Sequence, residues 1–223
     1  MKKLILVAIM TAFVASLAQA QTNQVLSRNA VGYVKLNAEK GKLLLGRTDF
    51  IPMNGSYVAS NIFGTAQWPN GTRVLSYDTS LPGYRTDSKS FAGWSTNITF
   101  TRGKGFWFQV PTTAPSNNYD IFLMGEVPDS TTAPDTTNVV ASGIAQIGYP
   151  YPADVLWTNT TLARGSPNGT ILYTWDGTNY VPNNKSFAGW ANPNLVLTPG
   201  QGFWYRTANA TTNWVEVKPY TWP

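Results

Sequence analysis

The 223-residue chain has no cysteine and no histidine. Without cysteine there is no disulfide framework, so packing alone must hold the fold. Lacking both residues, the chain is barred from Ser-His-Asp and Cys-His catalysis, zinc sites of the usual ligand types and covalent haem attachment. Charge is scarce too, at 12% of residues, and long Glu/Lys-rich amphipathic stretches are missing. That shortage disfavours helices. The closely alternating acids of a calcium loop do not occur. Aromatics are plentiful at 13%, among many Thr, Asn, Gly and Pro residues. This balance predicts strands joined by turns, an all-β fold.

The net charge of +5 is spread thinly. Lys2 and Lys3 stand at the extreme N-terminus. From Gln21 to Pro128 ten bases face six acids; from Asp129 to Pro223 four bases face five. The bases are scattered, and nucleic-acid binding would need a basic stripe. Met1 to Ala20 reads as a secretory signal peptide: a basic start, an apolar run from Leu4 to Leu17, and the cleavage pattern Ala18-Gln19-Ala20. The expected mature chain starts at Gln21 and is exported to the periplasm, the outer surface or the extracellular space. No later stretch is long and apolar enough for a transmembrane helix. Gln21 to Asn29 is polar and reads as a flexible start.

What the chain does have is an internal repeat. Lys-Ser-Phe-Ala-Gly-Trp stands at Lys89 to Trp94 and again at Lys185 to Trp190. Pro-Asn-Gly-Thr precedes each copy, at Pro69 and Pro167. Gly-x-Gly-Phe-Trp follows each, at Gly103 and Gly200. The offsets are 98, 96 and 97 residues in chain order. Three ordered matches at nearly constant offset imply duplication. Tyr119 to Pro128 and Trp214 to Pro223 align as the two closing segments. The expected organisation is two homologous antiparallel β-modules of about 97 residues, 30–128 and 138–223, joined by a polar linker at 129–137. A pseudo-two-fold packing, sandwich or barrel-like, would let two small disulfide-free units share a core.

Within each copy, Asn70-Gly71 and Asn168-Gly169 are turn dipeptides. Arg73 to Asp78 and Ile171 to Asp176 alternate as strands and return into Tyr84 and Tyr180, predicting hairpins. Further strands are expected at Ala30 to Leu36, Lys42 to Gly46, Ile98 to Phe100, Leu195 to Leu197 and, as one entry strand, Asn138 to Tyr151. Short helical turns fit Ser56 to Phe63 and Ala153 to Thr158. In Phe106-Trp107-Phe108 the phenylalanines face one way and the tryptophan the other, so a strand covered on both faces is expected. An outer-membrane barrel is disfavoured, because glycine and proline interrupt the strands.

Chemistry is hard to place. A glycosidase needs only two carboxylates, but the acids form no readable pair. Asp78 and Asp176 sit at duplicated hairpin turns, where local hydrogen bonding suffices to explain them. The glycines of Gly-x-Gly-Phe-Trp precede a strand, so they read as a tight turn or bulge and not as a phosphate loop. A non-enzyme without metal or cofactor is therefore expected. Aromatics repeated in both copies, such as Trp94/Trp190 and Trp107/Trp204, are explained by a shared scaffold. Trp68 aligns with Ser166 and Trp157 with Ala59, so these two are unique to one copy. They are the foremost ligand-binding candidates, with Tyr84 and Tyr180 at the hairpin tips next, because exposed aromatic faces stack on sugar rings.

These strings also resemble an uncharacterised family of exported, internally duplicated all-β proteins of environmental Gram-negative bacteria. The resemblance rests on Asn29 to Val34, Pro167 to Thr170, Trp175-Asp176, Gly189-Trp190, Pro199 to Trp204 and Gly125 to Pro128. The first copy departs from the pattern, with Thr101-Arg102 before Gly103 and Tyr77 where the pattern has Trp. The resemblance implies a fold class and an exported location, and carries no catalytic residues. The expected function is a non-catalytic protein of the cell envelope or extracellular matrix acting through surface contacts with an envelope protein or a surface glycan. The alternative is a carbohydrate-binding module using exposed aromatics.

Overall fold

The computed structural model describes residues 30–79, 81, 83–129 and 135–220, with backbone alone at 135–137. The expected signal peptide and flexible start, and residues 130–134 of the expected linker, lie outside the described residues. Every pairing between strands is antiparallel. β1 (Val31–Glu39) pairs along its full length with β7 (Asn118–Glu126) as a two-stranded ribbon. β2 (Leu43–Arg47), β6 (Gly105–Gln109), β3 (Arg73–Asp78), β4 (Gly83–Ser90) and β5 (Gly93–Trp94) form one five-stranded sheet, in that spatial order. A short helix α1 (Ala59–Phe63) lies in the β2–β3 connection.

The rest of the chain supplies β8 (Asp135–Val140), β9 (Gly143–Gly148), β10 (Val155–Leu156), α2 (Thr161–Gly165), β11 (Ile171–Trp175), β12 (Tyr180–Ser186) and β13 (Gly189–Trp190). It ends with β14 (Val196–Leu197), β15 (Gly202–Thr207) and β16 (Thr212–Val217). β8 and β16 form a ribbon, β10 pairs with β14, and the second five-stranded sheet runs β9-β15-β11-β12-β13. The sheets are open; no closed barrel forms among the described residues.

Three apolar clusters hold these layers. Leu36 and Ala38 of β1, Phe63 of α1, Phe106 and Phe108 of β6, and Ile121 and Leu123 of β7 make the first. Val140, Ile147, Leu172, Phe203, Tyr205 and Trp214 belong to the second, under α2. The third joins the two sheets: Leu45, Leu75, Tyr77 and Trp107 of one meet Ile144, Tyr173, Trp175 and Trp204 of the other. The expected two-faced strand is therefore present, since Phe106 and Phe108 point into one core and Trp107 into another. Each fully buried aromatic or aliphatic side chain contributes about 1.5–3 kcal/mol. Val31–Pro223 forms one compact unit.

Between the sheets runs a polar seam. Arg47 N donates to Gly200 O at 3.0 Å, and Gly148 N donates to Gly103 O at 2.9 Å. Arg47 and Asp49 are both buried, with Nε and Oδ1 2.5 Å apart. The other carboxylate oxygen accepts from Gly200 N at 2.5 Å, and the guanidinium donates to Tyr151 O at 3.1 Å while lying over the Tyr149 ring. Close approach explains the paired glycines. Gly103 and Gly200 hold φ near +77° and +79°, which turns the chain into the strand. Gly105 and Gly202 serve differently: a Cβ on Gly202 would overlap the Gly46 carbonyl oxygen, and one on Gly105 would crowd the Gln146 backbone.

Several expected boundaries move. Asn138 to Tyr151 is two strands, because the chain leaves the ribbon through Ala141-Ser142 and enters the sheet at Gly143, whose φ is +84°. β8 begins at Asp135, inside the expected linker, where it pairs with Val217. Ile98 to Phe100 contributes one bridge, Thr99 to Val58, and no strand. The first expected helical turn contains α1. The second, Ala153 to Thr158, covers β10 and the start of a 3-10 turn at Trp157–Asn159. The helix α2 follows it, because the Thr160 side chain caps it by accepting from Ala163 N.

Two outcomes are expected. Gly202→Ala should cost about 1–3 kcal/mol by overpacking backbone against backbone, whereas Gly165→Ala, with open space around it, should stay within about 0.5 kcal/mol; denaturant titration reads both. Burial pushes the Asp49 carboxyl up to about 6, against the pull of Arg47. A folded value above the ordinary one means the folded protein binds this proton more readily. The group thus favours the fold below about pH 4, and that favour is lost as pH rises through about 6. The melting-temperature gap between wild type and Asp49→Asn should widen from pH 7 to pH 5; a pH-independent gap contradicts this.

Candidate functional site

Trp68 and Trp157 are not exposed platforms. Their exposures are 4% and 0%, so neither presents a face to a sugar ring. Trp68 lies edge-on to Phe108 at 4.8 Å, and its indole donates to Phe63 O at 2.5 Å. Trp157 packs against Trp190, Phe203 and Tyr205. The uniqueness of Trp157 to one copy has a packing reason. Where the second half has Trp157 and Thr161, the aligned positions of the first carry Ala59 and Phe63, and Phe63 stacks among Trp94, Phe100, Phe106 and Phe108. Bulk is exchanged between positions four apart, so either arrangement fills its core.

Tyr84 and Tyr180 stand differently, at 44% and 48% exposure. The β3–β4 hairpin carries Tyr84 and the β11–β12 hairpin carries Tyr180. Both tips converge on the same groove of about 470 Å³, at the edge of the cluster between the sheets. Tyr77, Tyr173 and Trp204 line it with them, and Ile144 and the exposed Arg206 complete the wall. Trp204 is 5.1 Å edge-on from Tyr77 and 6.2 Å from Tyr84. Behind it Trp107 holds the matching relation to Trp175, at 5.1 Å, and to Tyr180, at 6.2 Å. The groove is thus built from residues more than a hundred positions apart.

Its polar atoms suit a hydroxylated ligand. Burial raises the Tyr84 phenol, with a hydrogen bond from Trp107 acting the other way. Burial raises Tyr180 likewise, and the nearby Trp204 indole opposes it. Both phenols therefore stay protonated and can donate or accept at neutral pH. Trp204 Nε1 is buried beside the Tyr180 hydroxyl and is closed off from the groove. Lys104 Nζ donates to Tyr77 O at 2.8 Å and Gln146 Oε1 accepts from Tyr77 N at 2.9 Å, which fixes the strand bearing Tyr77.

The buried carboxylates are engaged locally. Asp87 accepts from Ser95 Oγ, Thr96 N and Ile98 N. Glu216 accepts from Thr161 N and Trp214 Nε1, and Asp49 belongs to the seam. No cluster of three or more metal-ligating side chains forms among the described residues, and no helix there is long and apolar enough to cross a membrane.

The duplicated hexapeptide divides its labour. Trp94 and Trp190 are core, donating to Gly64 O and Ala163 O. Phe91 and Phe187, at the β4–β5 and β12–β13 turns, are 97% and 98% exposed. A shared scaffold, which explains the repeated Trp94 and Trp190, does not require these phenylalanines. The signal that separates the parts of the hexapeptide is the Ser-Phe-Ala-Gly turn, in which Ser90 and Ser186 accept from Ala92 N and Ala188 N and the intervening phenylalanine is thrown outward. No protein-family profile, curated protein or solved structure matches the chain.

Proposed function

We propose that the chain is an exported, non-catalytic β-protein of the cell envelope or extracellular matrix that works through surface contacts, with a glycan as its ligand. The observation that carries this reading is the seam groove, where Tyr84 and Tyr180 meet Trp204. Its volume falls in the range of small-ligand sites. Aromatic faces stack on the C–H faces of sugars, while the phenols and Arg206 offer hydrogen bonds to hydroxyls. Export is supported by the signal-peptide pattern of residues 1–20 and by the resemblance to exported duplicated β-proteins. A non-catalytic role is supported by the lack of histidine and cysteine and by the local engagement of Asp49, Asp87 and Glu216.

The scaffold we propose for this function is a pair of modules related by duplication and packed about a pseudo-two-fold. The matching strand orders of the five-stranded sheets support it. So do the reciprocal backbone bonds Arg47–Gly200 and Gly148–Gly103. The groove would then be a product of the duplication, since each half supplies one tyrosine tip.

Against a panel of soluble polysaccharides, the protein should bind at least one. The double variant Tyr84→Ala/Tyr180→Ala should bind it about tenfold or more weakly, the loss of about 1.4 kcal/mol or more, with its melting temperature little changed. Wild-type affinity in the double variant would remove the groove from the account.

A second reading, contact with an envelope protein, is favoured by Phe91 and Phe187, since exposed apolar groups at surface tips mark interaction sites. Phe91→Ser/Phe187→Ser should keep the melting temperature within a few degrees and lose retention on cell-envelope fractions in a pull-down. Undiminished retention contradicts this second reading.

A further inference from the structure

We infer that the second half carries a separate binding slot for a neutral saccharide unit, between α2 and β16, beside the position that aligns with Trp68 of the first half. The inference uses the alignment of the halves and is independent of the seam groove. In the first half the Trp68 indole sits between Phe108, at 4.8 Å, and Tyr119, at 6.2 Å. The aligned residues of the second half are Ser166, Tyr205 and Trp214. The flanking rings are kept and the central ring is gone. A slot of about 540 Å³ opens beside that position, with Tyr205 and Trp214 among its lining residues.

The loop that follows the aromatic strand differs as well. In the first half it spans 110–117 and turns Val110 and Ala114 into the core. In the second it spans only 208–211 and stays exposed. The shortened loop leaves the slot uncovered, and the small Ser166 that aligns with the indole lies just behind its lining residues Gly165 and Tyr205. Neither change is needed to fill a core, because the Ser166 hydroxyl already donates to Leu162 O at 2.7 Å and meets the Tyr205 hydroxyl at 2.8 Å.

The lining selects the ligand class. Thr161, Thr207, Thr212, Asn209 and Asn213 face the slot, and no charged side chain lines it. The nearby Glu216 is buried, its carboxylate engaged by Thr161 N at 3.0 Å and Trp214 Nε1 at 2.6 Å. Hydroxyls and amides without net charge match a neutral polyhydroxylated ring and give no counter-charge to an acidic sugar.

The test uses the full chain carrying Tyr84→Ala/Tyr180→Ala, which weakens the seam groove, and assigns to the slot the binding that the slot variants remove. Neutral gluco-, galacto- and manno-configured oligosaccharides are titrated by calorimetry, with a uronic-acid oligosaccharide for comparison. At least one neutral oligosaccharide should bind in this background, and the uronic acid should bind more weakly. Ser166→Trp/Tyr205→Phe, which installs the first half's ring pair, should abolish that binding with the melting temperature held or raised. Asn209→Ala/Asn213→Ala, on the exposed rim, should weaken it about tenfold and serves where the ring swap does not fold. No neutral binding in the background protein overturns the inference. So does binding that persists unchanged in the folded slot variants, or stronger binding of the uronic acid. Loss of the seam groove's own ligand is read separately, in the otherwise wild-type chain.

Discussion

The buried Arg47–Asp49 pair is the constraint on which the rest of this structure depends. Two charges removed from water must satisfy one another and every remaining polar atom nearby, or the penalty exceeds the attraction. Asp49 draws on Gly200 N, and Arg47 on Tyr151 O, while Arg47 Nη1 keeps no hydrogen-bond partner and the guanidinium meets the Tyr149 ring only by stacking. Both hydrogen-bond partners, Tyr151 and Gly200, come from the second half of the chain, 104 and 151 positions on. The pair can therefore be buried only when the two sheets are together. It also lies at the end of β2, an edge strand whose free amides would otherwise invite foreign pairing. Covering that edge with the segment before β15 requires close backbone contact. Gly202 opposite Gly46 and Gly105 opposite Gln146 are the residues that permit it.

Once the seam is fixed, the aromatic cluster follows. Trp107 and Trp204 lie on strands whose opposite faces are already committed to separate cores, so their rings can only fill the space between the sheets. The hairpin tips bearing Tyr84 and Tyr180 then fold over each other's tryptophan and leave a groove at the margin. The groove is not an independent feature grafted on the fold. It is the unfilled edge of the contact that joins the sheets, and its rigidity derives from that contact. The exposed phenylalanines at the β4–β5 and β12–β13 turns are a different kind of feature, since packing makes no demand on them.

Local physics made part of this legible in sequence. Asn-Gly turns, alternating strands and the Phe-Trp-Phe period located the hairpins and the two-faced strand, because each depends on residues a few positions apart. The all-β class followed from composition. What was hidden depends on distance or on compensation. Arg47 and Asp49 look like ordinary surface charges until Gly200 and Tyr151 arrive from about a hundred and more positions away. Trp157 looked functional because alignment compares single positions, whereas packing conserves volume across Ala59/Phe63 and Trp157/Thr161 together; Trp68 looked functional for the same reason, although it is a core residue of its own half. Phe91 looked structural because its neighbours are. Tyr84 and Tyr180 were legible as tips, but not as partners.

If the seam governs the molecule, the halves cannot unfold apart, and calorimetry of residues 21–223 measures this most directly. The account predicts one transition whose calorimetric and van't Hoff enthalpies agree to a ratio of about one. Arg47→Met should move that transition downward as a whole. Two resolved transitions in the wild-type protein, each with about half the enthalpy, would contradict it.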